Sequence, residues 1–125
     1  MVFDLVSPIL GFEDVSLLEF NKIDDCFANI NSKEGYTWTL VNPFLLKSYS
    51  FEIPYYAKIL LDLKDDSQIE IYCMLVLQNP LEDSKVQFIA PIIFNHTNKK
   101  AIQLVLSPLH YPQFSKLESL KLFAK

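Results

Sequence analysis

The chain has 125 residues, 50% hydrophobic and 21% charged, with eleven lysines, no arginine and a formal net charge of −4. That composition suits a single domain built on one core and excludes intrinsic disorder. An acidic chain without arginine lacks the basic face and the bidentate donors by which direct readers of DNA or RNA hold phosphate and guanine, so that class is excluded too.

Taken in chain order, most segments read as strands. Val2 to Val6, Leu17 to Phe20 and Phe27 to Ile30 are short apolar runs between polar breaks. Tyr36 to Val41 alternates, with Tyr36, Trp38 and Leu40 facing one way and Thr37 and Thr39 the other. Pro54 to Leu63 reads as a helix. Tyr56, Ile59, Leu60 and Leu63 fall at i, i+3, i+4 and i+7 as the buried stripe, and Pro54 occupies the first helical position. Gln68 to Gln78 is the strongest strand: Ile69, Ile71, Cys73, Leu75 and Leu77 share one face, and Met74 and Val76 make the second face apolar as well. A strand that starts half-exposed and ends apolar on both sides dives under another layer. Val86 to Ala90 and Ala101 to Leu106 add two strands, the latter with Ile102, Leu104 and Leu106 in register. Ser115 to Glu118 has the capping-box pattern and predicts a short helix over residues 115–123, with Leu117, Leu120 and Phe123 on one face.

Many strands joined by short polar turns predict a mostly β, antiparallel barrel-like or sandwich domain spanning 1–125, with one or two short helices. Cys26 and Cys73 are too few and too far apart for a disulfide framework or a metal site. No charged n-region followed by a long apolar core opens the chain, and no apolar run reaches the roughly 20 residues of a membrane span, so a cytoplasmic protein without membrane contact is expected.

Catalytic chemistry is hard to assemble from these residues. His96 and His110 both fall in loops, and a solvated turn is the default reading of each. The acidic pairs Glu13–Asp14, Asp24–Asp25, Asp65–Asp66 and Glu82–Asp83 are neighbours in polar breaks rather than carboxylates converging on a cleft. No cofactor, metal or catalytic residue is assigned. An enzyme using one of the histidines requires that histidine to meet an acid in a cleft. A small β-barrel holding an apolar ligand or an unrelated protein partner is the alternative to the reading that follows.

Two aromatic, proline-broken stretches suit the gripping of another polypeptide: Asn42 to Pro54, and Phe88 to Asn95. Phe44, Tyr49, Phe51, Ile92 and Phe94 supply bulk for an apolar groove, although strand alternation buries roughly half of such side chains. Asn42 and Asn95, polar beside apolar runs, are candidates for hydrogen bonds to a partner's main chain.

These stretches also carry a resemblance. Ile9-Leu10-Gly11-Phe12-Glu13, Asn42-Pro43-Phe44, Tyr49-x-Phe51-x-Ile53-Pro54, Phe88 to Asn95, Gln103 to Leu106 and Tyr111 follow the order and spacing of the flagellar assembly factor FliW family. The match covers about Ser7 to Pro112. It departs from the family after Tyr111, where many relatives carry an arginine and this chain has Pro112-Gln113-Phe114, and in the turn 95–100, which lacks a glycine. The resemblance implies a non-enzymatic binder of cytoplasmic flagellin, chiefly of its C-terminal region. Once flagellin is exported, the freed factor antagonises the translational regulator CsrA. The seven candidate residues, Asn42, Phe44, Tyr49, Phe51, Ile92, Phe94 and Asn95, are expected to contact these partners, and deletion of Phe114 to Lys125 to disturb binding more than folding.

Overall fold

In the computed structural model, which describes residues 1–123, nine strands form in chain order: β1 (Val2–Leu5), β2 (Leu17–Lys22), β3 (Phe27–Asn31), β4 (Thr37–Val41), β5 (Ile69–Val76), β6 (Lys85–Val86), β7 (Ile92–Asn95), β8 (Lys100–Gln103) and β9 (Glu118–Ser119). Seven of them run in the order β4-β3-β2-β1-β8-β7-β5 and close into a barrel where β4 pairs with β5. All of those pairings are antiparallel except β1 with β8. β6 and β9 form a small extension from the far end of β5.

Alternation along the strands sorts the core into two layers. Phe3, Leu18, Phe20, Ile30, Leu40, Tyr72, Met74, Ile92 and Phe94 point inward and fill the lumen. The aromatic rings meet edge-on or tilted, with Phe3 5.2 Å from Phe94 and Phe20 4.8 Å from Phe94. A small barrel closed on such side chains is filled along its middle, and at one end Ile9, Phe12, Trp38 and Met74 of the same cluster line an open pocket of about 330 Å³. The opposite faces of the same strands, including Val41, Cys73, Ile93 and Ile102, are buried as well. They are covered by the connection from β4 to β5 and by the chain after β8. This is the second layer expected of β5: Tyr72 and Met74 look into the lumen while Cys73 and Leu75 look out under the cover.

The cover holds α1 (Tyr55–Leu60), capped by Pro54 in extended conformation. Its existence follows the predicted period but its orientation does not. Ala57 and Leu61 are fully buried, whereas Tyr56, Ile59 and Leu60 of the predicted inner stripe are 56%, 60% and 40% exposed. The helix thus lies on its narrow side, and the larger apolar residues face out.

The C-terminal helix predicted over 115–123 does not form. Pro112–Phe114 is one 3-10 turn, Glu118–Ser119 is β9, and Leu120–Phe123 is a second 3-10 turn. The capping-box residues are engaged elsewhere: the Ser115 hydroxyl donates to the Pro112 carbonyl at 2.8 Å, and Glu118 takes an ion pair from Lys47 at 2.8 Å. Strand pairing with β6 and these tertiary contacts outweigh a weak local helix signal. Phe114 is buried against Tyr49 at 4.5 Å, with Phe88 6.4 Å away, so this part of the tail packs into the outer layer and bears on folding as well as on any binding.

β7 corrects a second reading. Ile92 to Asn95 belong to one of the stretches expected to grip a partner, yet all four residues are buried, because the strand sits in the barrel wall with packed layers on both sides. At the turn after β1, Gly11 takes φ +89°, a conformation that glycine adopts without steric cost, and Phe12 N donates to Ile9 O at 2.8 Å. No helix among the described residues is long and apolar enough to cross a membrane.

Candidate interaction surfaces

The seven candidate residues do not form one site. Asn42 ends β4's extension and caps the 3-10 turn Pro43–Leu45, its side-chain oxygen accepting from Phe44 N at 3.0 Å. That turn lifts Phe44 off the barrel, leaving it 49% exposed with an edge-on contact to Tyr49 at 5.6 Å. Tyr49 itself is interior: its hydroxyl donates to the Phe88 carbonyl at 2.6 Å and receives the Cys73 thiol at 3.6 Å. Burial pushes the Tyr49 phenol well above the ordinary tyrosine range and the Cys73 thiol up to about 12. Phe51 is half-buried behind Tyr49.

Ile92 and Phe94 point into the lumen and are inaccessible. Asn95 is also fully buried. Its amide nitrogen donates to Leu61 O at 2.9 Å, and its oxygen accepts from Thr97 N at 3.1 Å. The bonds assigned to a partner are spent inside, tying β7 to the end of α1. As surface residues, then, Tyr49, Ile92, Phe94 and Asn95 are corrected to core, and Asn42, Phe44 and Phe51 remain accessible.

Three surface features were not anticipated. The first is the outer face of α1, where Tyr55 is 73% and Ile59 60% exposed. The second is an open apolar groove of about 550 Å³ lined by Cys26, Phe27, Leu46, Leu81, Leu120 and Phe123, among others. Burial, and then the Asp24 carboxylate, raise the Cys26 thiol above its usual value, which keeps it protonated and apolar in character. Glu82 and Lys121 also line this groove and give it charge at the edge. The third is a cleft of about 340 Å³ between Asn42–Phe44 and Ile69–Tyr72 on β5. A signal for the last was present in the sequence: Pro43, two residues after Val41 at the end of β4, cannot donate to a continued ladder.

His96 departs from the solvated loop expected of it. Its side chain is 18% exposed, its ring lies edge-on to Phe3 at 5.2 Å, and Nε2 comes 2.6 Å from Glu70 Oε1 without the alignment of a directed hydrogen bond. Glu70 also accepts from the Tyr72 hydroxyl at 3.2 Å and faces Lys22 at 3.6 Å. The cluster closes one end of the lumen over a packed aromatic core. A histidine and an acid do converge here, as the enzymatic reading requires: the imidazole packs edge-on against Phe3 at the end of the lumen, and Glu70 also lines the cleft beside Phe44. His110 is exposed.

The profile of the FliW protein family matches residues 1–117. Over its whole length the chain is 41% identical to flagellar assembly factor FliW 1 of Wolinella succinogenes, covering 99% of that protein. It is 43% identical to flagellar assembly factor FliW of Helicobacter pylori, with 98% of this chain and 94% of that one aligned. A crystal structure of the flagellar assembly factor FliW superposes with a TM-score of 0.84 over 95% of this chain and 84% of the other, at 17% identity, which speaks to the fold.

Proposed function

The chain belongs to the FliW family, and on that premise we propose that it is a cytoplasmic flagellar assembly factor that binds flagellin and, when flagellin is absent, holds the translational regulator CsrA. A role in flagellar assembly follows from the family itself. The observation carrying the finer reading is the whole-chain match, at 41% and 43% identity, to proteins named flagellar assembly factors. The surface supports it. An amphipathic helical segment from a flagellin terminus needs an apolar groove with a charged rim, and the groove along Leu46, Leu81, Leu120 and Phe123, edged by Glu82, has that character. Net charge −4 suits an RNA-binding partner that presents a basic face.

The test is a calorimetric titration with the C-terminal segment of the same organism's flagellin, alone and after saturation with CsrA. Tight binding that CsrA abolishes is the expected result and means that the partners exclude each other, directly or through a conformational link. Undetectable flagellin binding refutes the proposal while leaving the fold and the family untouched.

A further inference from the structure

We propose that the seam between β4 and β5 is a docking site for an extended peptide segment of a partner protein, taken up as an extra strand against β5. A ladder that stops early carries this. β4 and β5 pair only at Leu40 with Met74 and Val41 with Cys73, while β5 runs on to Ile69, paired with β7 along its other side.

The alternation of main-chain bonds decides which groups face the opening. Gln68 O accepts from His96 N, and Met74 O from Gln87 N, so the even-numbered residues of β5 bond toward β7 and β6. The odd-numbered residues turn their N–H and C=O toward β4. Cys73 meets Val41 there. Ile71 falls opposite Pro43, which has no N–H and whose carbonyl is taken by Leu46 N and Lys47 N in the 3-10 turn. Among the described residues, no main-chain group bonds Ile71 or Ile69 on this side.

The unpaired edge opens onto the cleft of about 340 Å³ between Phe44 and β5. An added strand would therefore find donors, acceptors and room in register. Its side chains would alternate between two different environments. One face meets Phe44 and Ile69, exposed at 49% and 38%. The other meets Glu70, partly neutralised by Lys22 at 3.6 Å, with Asp24 and Asp25 close enough to act on the neighbouring Tyr72 hydroxyl. The occupant so defined carries β-branched or aromatic residues at alternate positions with a lysine or arginine between them. A second copy of this chain fits poorly. Pairing two β5 edges would set Glu70 against Glu70, and an open edge running from Ile69 to Ile71 is far too short for the roughly 800 Å² per partner of a stable dimer.

The test is an amide-resolved NMR titration of the ¹⁵N-labelled protein with the synthetic peptide acetyl-Thr-Val-Lys-Val-Thr-amide at millimolar concentration. Two further versions are N-methylated on one or the other alternate set of amides. The Ile69 and Ile71 amides should move downfield and exchange more slowly. Only one of the two methylated peptides should lose affinity, by about tenfold or more, because only alternate amides of an added strand face its neighbour. Ile69→Pro, which removes an edge donor at the first residue of β5, should weaken the parent peptide similarly and leave the β7 resonances in place. Unmoved Ile69 and Ile71 amides, or equal losses from both methylated sets, overturn the proposal. So do shifts at these amides that depend on protein concentration without peptide, which would assign the edge to a second copy.

Discussion

Asn95→Ala separates a structural asparagine from a binding one. The native side chain donates to Leu61 O at 2.9 Å and accepts from Thr97 N at 3.1 Å, from a position with no solvent exposure. Leu61 O keeps a second donor, Asn98 Nδ2 at 2.8 Å, so its loss is partial. The Thr97 N–H loses its side-chain acceptor, and a small void opens between β7 and α1. Two net hydrogen bonds at about 1 kcal/mol each, plus a share of the unpaired-donor cost, give about 2 to 3 kcal/mol of destabilisation. For a domain of this size that lowers Tm by roughly 10 °C. Urea unfolding followed by circular dichroism reads the loss, and a native-state titration with the flagellin segment should be unchanged. A variant as stable as the parent that no longer binds would refute the reasoning and return Asn95 to the surface role first expected of it.

Phe114→Ala should cost about 3 to 5 kcal/mol in the same unfolding assay, because it empties the space against Tyr49 and Phe88; a loss below 1 kcal/mol would show the tail to be dispensable for packing. Leu81→Ser, at a groove position 55% exposed, should leave stability within about 0.5 kcal/mol and weaken flagellin binding about tenfold, and unchanged affinity would move the docking face elsewhere. The Cys73 thiol, raised from 9.0 to about 12, keeps in the folded state a proton that the unfolded chain sheds. Its contribution to stability is complete below pH 9 and is lost as pH climbs toward 12, by about 3 kcal/mol at pH 11. Urea midpoints measured with Cys73→Ser alongside the parent isolate it, and parallel curves for the two proteins would refute the assignment. The association with CsrA should weaken as salt rises, since added ions shorten the Debye length from about 8 Å at physiological strength; an affinity indifferent to salt would deny the charge a part in it.

The barrel was legible because strand alternation survives in the sequence. Leu40, Met74, Ile102 and Leu104 are buried where their periodicity places them, whereas Tyr72, beside Glu70 on the more polar face of β5, is buried in the lumen instead. β7 was not, since a strand buried on both faces shows no alternation, and its prolines and aromatics looked like a recognition stretch. α1 shows a different limit. Helical period tells which residues share a face, but two apolar faces competed, and the one holding the small Ala57 with Leu61 won the core. The candidate surface was the least legible part. Exposure of Phe44 and burial of Tyr49 follow from a capped 3-10 turn that places two neighbouring aromatics on opposite sides of a boundary, and nothing in their chemistry separates them.

The parallel pair of β1 with β8 sets the order of events during synthesis. Asp4 pairs with Lys100 and Leu5 with Ala101, so the first strand's second neighbour is made long after the first strand itself. Translation at roughly 5 to 20 residues per second leaves β1 to β4 waiting several seconds as an open meander with its apolar face uncovered. Closure then requires a long loop whose entropy cost is met before any contact rewards it, which slows the final step relative to the hairpins. The chain is therefore at its stickiest until β8 has been made and has docked, and factors that shield nascent chains have most to do in that interval.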